Sequence, residues 1–366
     1  MRVFVSGHHG YIGTIMSRLL REAGHTVCGA DMYLYDDCTF GDDLLPPAIG
    51  LKRDIREITL ADLEGCDAVV HLAGLCNDPL GDLLPEITYD INHKATIRLA
   101  QLAKEAGIER FVFSSSCSVY GAAGSDWVDE QFIPNPVTPY GVSKLRAEED
   151  LFQLADNDFS PVFLRSATAY GFSPRIRFDL VVNNLVAYAV SKGELLLKSD
   201  GRAWRPLVHI EDISRAFIAA IEAPRDTVHT EVFNVGITTE NYLVREVADI
   251  IAKTIPGTPV RFGEGAGPDA RSYRVDCSKI SRKLPQFRPQ WTIHRGILEL
   301  HQRFSEVGLT VEDFEGPKYQ RLAHLKHLMA RGLVNQELRW TPEAILENPL
   351  AAAVEASTLP SISGTA

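Results

Sequence analysis

Three polar side chains hold the chemistry that this chain is best equipped to do. Tyr140 and Lys144 stand four residues apart, so on a helix they share one face. Ser116 closes the run Ser114-Ser115-Ser116, 24 residues before the tyrosine. A tyrosine hydroxyl ordinarily ionises near about pH 10 and is a poor base in neutral water. An ammonium group one turn away stabilises the phenolate and makes the proton transferable. A serine hydroxyl beside it can hold the reacting oxygen and share the proton. Such a set moves a proton to or from a carbinol. The same spacing occurs on many helix surfaces, so it needs a hydride acceptor nearby to mean anything.

The start of the chain supplies a place for one. Gly7, Gly10 and Gly13 follow the strand-like Val3-Phe4-Val5 and precede an amphipathic stretch from Tyr11 to Ala23 that stops at Gly24. Glycines at this spacing allow a tight turn and a close backbone approach to a pyrophosphate, with the free N–H groups of the helix at Tyr11 and Ile12 aimed at the anion. A second strand, Thr26–Ala30, ends in Asp31, 18 residues beyond Gly13. A carboxylate there accepts hydrogen bonds from the adenosine ribose and repels a 2′-phosphate, so NAD is expected rather than NADP. Asp54 and Ile55 are placed at the adenine edge. Leu72, Ala73 and Gly74 line the cofactor's middle, and Ser114 its strand-end side. Lys144 can also hold the nicotinamide ribose. His8 and His9 sit in the turn and are expected to matter through backbone.

The elements that must position these residues alternate. After the first strand–turn–helix–strand unit come a strand at 67–74, a helix from Thr88 to Ala106, a strand at 110–114, a helix carrying Lys144 and a strand at 161–165. Alternation of this kind predicts an α/β fold: a doubly wound, parallel Rossmann sheet covered on both faces. Residues 1–165 are expected to form the NAD-binding domain, joined by a returning strand near 231–236. A smaller substrate-binding lobe follows over 166–306. Residues 307–366 read as a helical extension: Leu322, Leu325, Leu328 and Met329 share a face, Gly332 is a stop, and the Ser-, Thr- and Ala-rich end is expected to be disordered.

Composition removes other classes. The net charge of −11 lacks the basic footprint of nucleic-acid binding. Six cysteines without CxxC spacing suggest neither a zinc site nor a redox pair. No signal-like segment opens the chain and no apolar run is long enough for a bilayer, so a cytoplasmic protein without a membrane partner is expected.

Taken together, the segments GHHGYIG (7–13), Asp31, HLAG (71–74), SSSCSVYG (114–121), YGVSK (140–144), RPLVHIEDISRAF (205–217) and VFNVG (232–236) resemble the extended short-chain dehydrogenases/reductases that act on nucleotide sugars. The resemblance spans roughly residues 1–300. It implies Ser116, Tyr140 and Lys144 as catalytic residues, Asn92 beside the cofactor, and Arg205 on the substrate diphosphate. Family members that dehydrate the sugar carry Asp-Glu just before VYG, and those that decarboxylate UDP-glucuronate carry Glu at the second position. Here these positions are Cys117 and Ser118, which is closer to the 4-epimerases. Cys117 is a candidate at the sugar or a packing residue. Thr168 replaces an asparagine that often contacts the diphosphate, and Cys76-Asn77-Asp78 replaces a loop that commonly contains lysine. Asn184 could reach a diphosphate or be a helix amide. Arg271 and Arg274 offer a second anionic clamp. The resemblance implies an NAD-dependent nucleotide-sugar epimerase acting at C4, as a homodimer through the helices at 88–106 and around Lys144. A keto-sugar reductase using exchangeable cofactor, and a dinucleotide-binding regulatory protein without catalysis, are the alternatives.

Overall fold

The computed structural model describes residues 1–41, 49–76, 81, 83–124, 126–267, 271–342 and 344. Its centre is a seven-stranded sheet. From one edge to the other the strands are Val232–Val235, Ser160–Ser166, Arg110–Ser116, Ala68–His71, Arg2–Ser6, Thr26–Asp31 and Ile49–Lys52. Every pairing is parallel. The strand order reverses beside Arg2–Ser6, which is the switch point where such sheets hold ligands.

The apolar strand residues explain why both faces are covered. Val3, Phe4 and Val5 are all fully buried. Val3 and Val5 join a core with Met16, Leu20, Ile213 and Phe217, from the helices Tyr11–Glu22 and Ile210–Glu222. Phe4 points the other way, into a core with Leu99, Ala147 and Leu151, from the helices Ala95–Glu105 and Pro139–Leu154. Val112 against Phe111 and Phe113 repeats this two-residue alternation. Each such side chain contributes about 1.5–3 kcal/mol by leaving water.

A third core belongs to the lobe, with Phe178, Val182, Leu185, Leu197, Ile251 and Phe304 at its centre. Here a small sheet pairs Trp204–His209 with Thr168–Tyr170 in parallel and with Asn241–Leu243 antiparallel. The expected return to the main sheet occurs at Val232–Val235, which pairs with Ser160–Ser166.

Two expectations change in detail. The helix expected from Thr88 begins at Pro85 and carries a single π-helical turn at Asp90–Lys94. That turn presents the buried Asn92, whose amide brackets Leu75 by bonding its N–H and its C=O. The extension is only partly helical. Val311–Glu315 and Arg321–Ala330 are separate helices, and Val334 bridges Trp340 beyond them. Gly316, whose Cβ would lie 2.2 Å from the Glu312 carbonyl, ends the first. Leu325 and Leu328 are buried as expected, and Gly332 takes a left-handed turn. The tail expected to be disordered lies outside the described residues, apart from Ala344.

Candidate functional site

One cleft of about 1400 Å³ runs along the carboxyl ends of the strands and between sheet and lobe. That exceeds the usual pocket for a single small ligand, roughly 300–1,000 Å³. It suits a dinucleotide and a second ligand together.

The glycine turn forms its floor. Gly7 has φ +75°, and a Cβ there would lie 2.8 Å from the Ala73 nitrogen. A Cβ on Gly13 would lie 2.0 Å from the Gly7 carbonyl oxygen. The helix Tyr11–Glu22 starts from Gly10 with no side-chain cap and no acid in its first turn. Its open N–H groups therefore fit an anionic pyrophosphate. Gly10, Tyr11 and Ile12 line the cleft, but the Tyr11 hydroxyl is already used. It donates to the Gly171 carbonyl at 2.7 Å and accepts from Asn183, tying the turn to the lobe.

Asp31 lines the cleft and is oriented by the backbone N–H groups of His9, at 3.1 Å, and Tyr33, at 2.8 Å. His8 is buried and fills the space left by Gly29 and Gly50, where a Cβ would lie 2.3 and 2.6 Å from its ring. The His9 ring meets Arg175 at 2.9 Å and reaches the cleft. Burial, with Arg175 adding repulsion, pushes His9 down to about 4. Ile55, Leu72, Ala73, Gly74 and Ser114 line the cleft where the sequence places them. Asp54 and Asn92 do not. Asp54 is closed in a pair with Arg56 at 2.6 Å. Asn92 bonds Leu75 and Ser143, so it shapes the loop after His71 from behind.

Ser116, Tyr140 and Lys144 all line this cleft. Ser116 is the last residue of its strand, and its hydroxyl accepts from the Ser118 N–H at 3.1 Å. Thr138 caps the helix Pro139–Leu154, so Tyr140 lies in its first turn and Lys144 one turn later. The Lys144 ammonium donates to the Ser114 carbonyl at 2.8 Å and sits 5.9 Å from the centre of the Tyr140 ring. Burial pushes Lys144 down to about 8. One turn further, Glu148 pairs with Arg165 at 2.6 Å and accepts from Ser115, both charges being buried. This pair locks the helix to the sheet, and with it the two residues above.

Cys117 and Ser118 part company. Ser118 lines the cleft, its hydroxyl 3.1 Å from that of Ser116. Cys117 turns away, buried among Val119, Tyr120, Val128 and Tyr273, with its thiol on the Arg165 carbonyl at 3.2 Å. Burial pushes that thiol up, so it is a protonated packing residue. The candidate sugar contact at Cys117 is thereby corrected.

The lobe closes the other side. Thr168, Asn184, Arg205 and Arg271 all line the cleft. Asn184 donates its amide to the Phe178 carbonyl at 2.7 Å. Arg205 donates to the carbonyls of Trp204 and Arg271. Nearby, Glu211 pairs with Arg18 and Arg215, and the buried Asp212 pairs with Arg215. Of the loop 76–78, Asn77 and Asp78 lie outside the described residues.

Sequence reasoning missed Arg177 and Asp179. Arg177 lines the cleft, pairs with Asp179 at 2.7 Å and donates to the Cys76 sulfur at 2.9 Å and carbonyl at 3.0 Å. Thus a cation stands against position 76 after all, brought from across the cleft. Nothing in the local sequence indicates where either side chain goes.

The model of the NAD dependent epimerase/dehydratase family matches residues 3–236. This chain belongs to that family. The UDP-glucose 4-epimerase of Bacillus subtilis (strain 168) is 28% identical over 328 residues, covering 82% of this chain and 94% of that protein. Among solved structures, MoeE5 in complex with UDP-glucuronic acid and NAD is 29% identical with a TM-score of 0.72, covering 84% of this chain and 99% of that one. UDP-glucuronic acid 4-epimerase from Bacillus cereus, solved with UDP-glucuronic acid and NAD, is 25% identical with a TM-score of 0.71, covering 84% of this chain and all of that one. The glycine floor, the uncapped helix and Asp31 fit the family's NAD. Among the described residues no helix is long and apolar enough to cross a membrane.

Proposed function

We propose that this enzyme inverts a nucleotide sugar at C4 and uses NAD as a resident cofactor. The observation that carries the reading is the meeting of Ser116, Tyr140 and Lys144 between the dinucleotide floor and the arginines of the lobe. Tyr140 takes the proton of the C4 hydroxyl, while Ser116 holds the oxygen. Lys144 offsets the phenolate charge. Bound NAD supplies a reversible hydride sink. Once the 4-ketone has turned over in the cleft, Tyr140 would give its proton back to the C4 oxygen, with the opposite face of C4 now open to the returning hydride. Asn184, Arg205 and Arg271 bind the nucleotide diphosphate, with Thr168 beside them. Ser118 at the cleft, where a dehydratase or decarboxylase would need a carboxylate, supports epimerisation. The activity in the name of the Bacillus subtilis relative and the ligands of the Bacillus cereus neighbour support the same class.

In this reading residues 1–165, with the strand at 232–235, bind NAD. Residues 166–306 bind the substrate, and 307–366 form an appended segment. Homodimerisation through the helices Ala95–Glu105 and Pro139–Leu154 is part of the proposal. Phe152, on the second of these helices, and Leu83, just ahead of the helix that begins at Pro85, are exposed apolar side chains. Light scattering at micromolar concentration giving twice the chain mass is the expected result. The six free thiols support a reducing, cytoplasmic setting.

The purified protein, given UDP-glucose, UDP-galactose or UDP-glucuronate without added NAD, should interconvert C4 epimers by NMR. Stoichiometric consumption of added NAD(H) would instead make it a keto-sugar reductase.

A further inference from the structure

The extension at 310–340 touches both sides of the cleft. On the lobe side, Phe314 packs edge-on against Tyr188, and Glu315 pairs with Lys192 at 2.5 Å. Tyr319 donates to the Thr39 carbonyl at 3.1 Å. On the sheet side, its contacts fall on the two loops that frame the adenosine pocket. The loop after Asp31, already held at Thr39, is held at three further points. Trp340 donates to the Met32 carbonyl at 2.7 Å, His324 bonds the Leu34 carbonyl at 3.0 Å, and the Arg321 guanidinium lies 3.9 Å over the Tyr35 ring. The turn at Asp54–Glu57 is held as well. Arg56 donates to the Glu337 carbonyl at 3.0 Å, and Arg339 pairs with Glu57. Between these anchors, Leu322, Ala323 and Lys326 form part of the cleft wall.

Arg321 adds an independent observation. It lines the cleft and is almost wholly buried. Its Nη2 donates to the Arg175 carbonyl at 2.8 Å, but its Nη1 is shut off from water with no acceptor among the described residues. A buried donor without a partner is costly, and native structures satisfy nearly all of them.

We propose that residues 310–340 are part of the dinucleotide-binding site: Arg321 donates to an oxygen on the adenosine side of the cofactor, and the segment fastens both loops of that pocket over it. The proposal rests on the NAD reading above. NAD then leaves only when the segment lifts, which suits a reaction that needs no cofactor exchange.

The test loads full-length protein with NADH and chases it with excess NAD, following fluorescence. Arg321→Met and Trp340→Phe should each release NADH at least tenfold faster, with melting temperatures close to that of the parent. Folded variants with unchanged release would overturn the proposal, as would faster release of UDP with NADH release unaltered. Hydrogen exchange on the unmodified protein decides the matter should the variants not fold. Added NAD should slow the amides of 321–330 together with those of 32–35, and unchanged exchange at 321–330 would overturn the proposal. Protein that binds no dinucleotide at all would instead sink the cofactor reading.

Discussion

The glycine-turn half of the cleft is made mostly of backbone, and the lobe half mostly of long side chains. Gly7, Gly10 and Gly13 work by what they lack, and the N–H groups they uncover belong to the main chain. The lobe instead offers Arg177, Arg205 and Arg271, with Arg177 held by Asp179 and the Cys76 carbonyl, and Arg205 by the carbonyls of Trp204 and Arg271. Backbone donors are fixed by the fold and carry little conformational freedom. Arginine side chains must be ordered one by one, at a cost in rotamer entropy. The first half suits a constant ligand held for many turnovers, and the second suits a substrate that comes and goes.

Breaking the backbone half should have the largest effect. Gly13→Ala forces a Cβ into the Gly7 carbonyl, 2.0 Å away in the present geometry. No flexible side chain is available to yield, so NAD binding should be lost by calorimetry. Retained micromolar binding would show that the turn does not hold the pyrophosphate.

Next in size is Tyr140→Phe, which leaves both halves intact and removes only the hydroxyl proposed to carry the proton. Turnover should fall by about 10²–10⁴ with NAD binding nearly unchanged. Parent-like turnover would take Tyr140 out of the mechanism.

Arg205→Ala tests the side-chain half. Truncating one partner of a charged contact typically costs about 2–5 kcal/mol. Arg205 is only half-buried, so the lower end of that range is expected. The KM for the sugar nucleotide should rise with little change in NAD affinity. An unmoved KM for every sugar nucleotide tried would count against the diphosphate contact.

Asp31→Ala sharpens the comparison within the backbone half, where this carboxylate is the exception. Its loss removes charged hydrogen bonds to the ribose, about 1.5–3 kcal/mol, and the repulsion of a 2′-phosphate. The ratio of NAD to NADP dissociation constants should shift toward NADP by roughly tenfold or more. A constant ratio would place the ribose elsewhere.

The smallest effect is one of pH, and it also belongs to the sheet side. His71 is fully buried between Ser6, at 2.6 Å, and Thr96, at 2.7 Å, and burial pushes it down to about 3. Its folded value is depressed below the unfolded one of about 6.5, so as pH falls the unfolded chain takes up the proton first. Stability from this group is complete above about pH 6.5 and is lost below it, by about 1.4 kcal/mol between pH 7.5 and 5.5. A melting temperature that does not fall over this interval would contradict the burial of a neutral ring. His9 should add to the fall.

How much of this was readable in advance follows from where each signal resides. The turn, Asp31, the Ser116 strand end and the Tyr140–Lys144 spacing are local: a few adjacent residues and their periodicity determine the geometry. The same holds for the alternation that sends Val3 and Val5 to one core and Phe4 to the other. The direction of a side chain beyond its own element was not readable. Cys117 and Ser118 are neighbours, yet one enters the core and the other the cleft, because the short turn after Ser116 rotates between them. Asp54 looked like a cofactor residue until Arg56 closed on it. Arg177 gave no signal, since its partner Cys76 is about a hundred residues away and lies across the cleft. The extension showed a helical face but not what that face covers. Periodicity and glycine spacing are properties of a short stretch of chain, and the sequence by itself determined the fold class, the glycine turn and the spacing of Ser116, Tyr140 and Lys144. Which charges are buried together, which donors are left for a ligand and which loops the last segment holds depend on contacts between distant residues, and only the tertiary structure decided them.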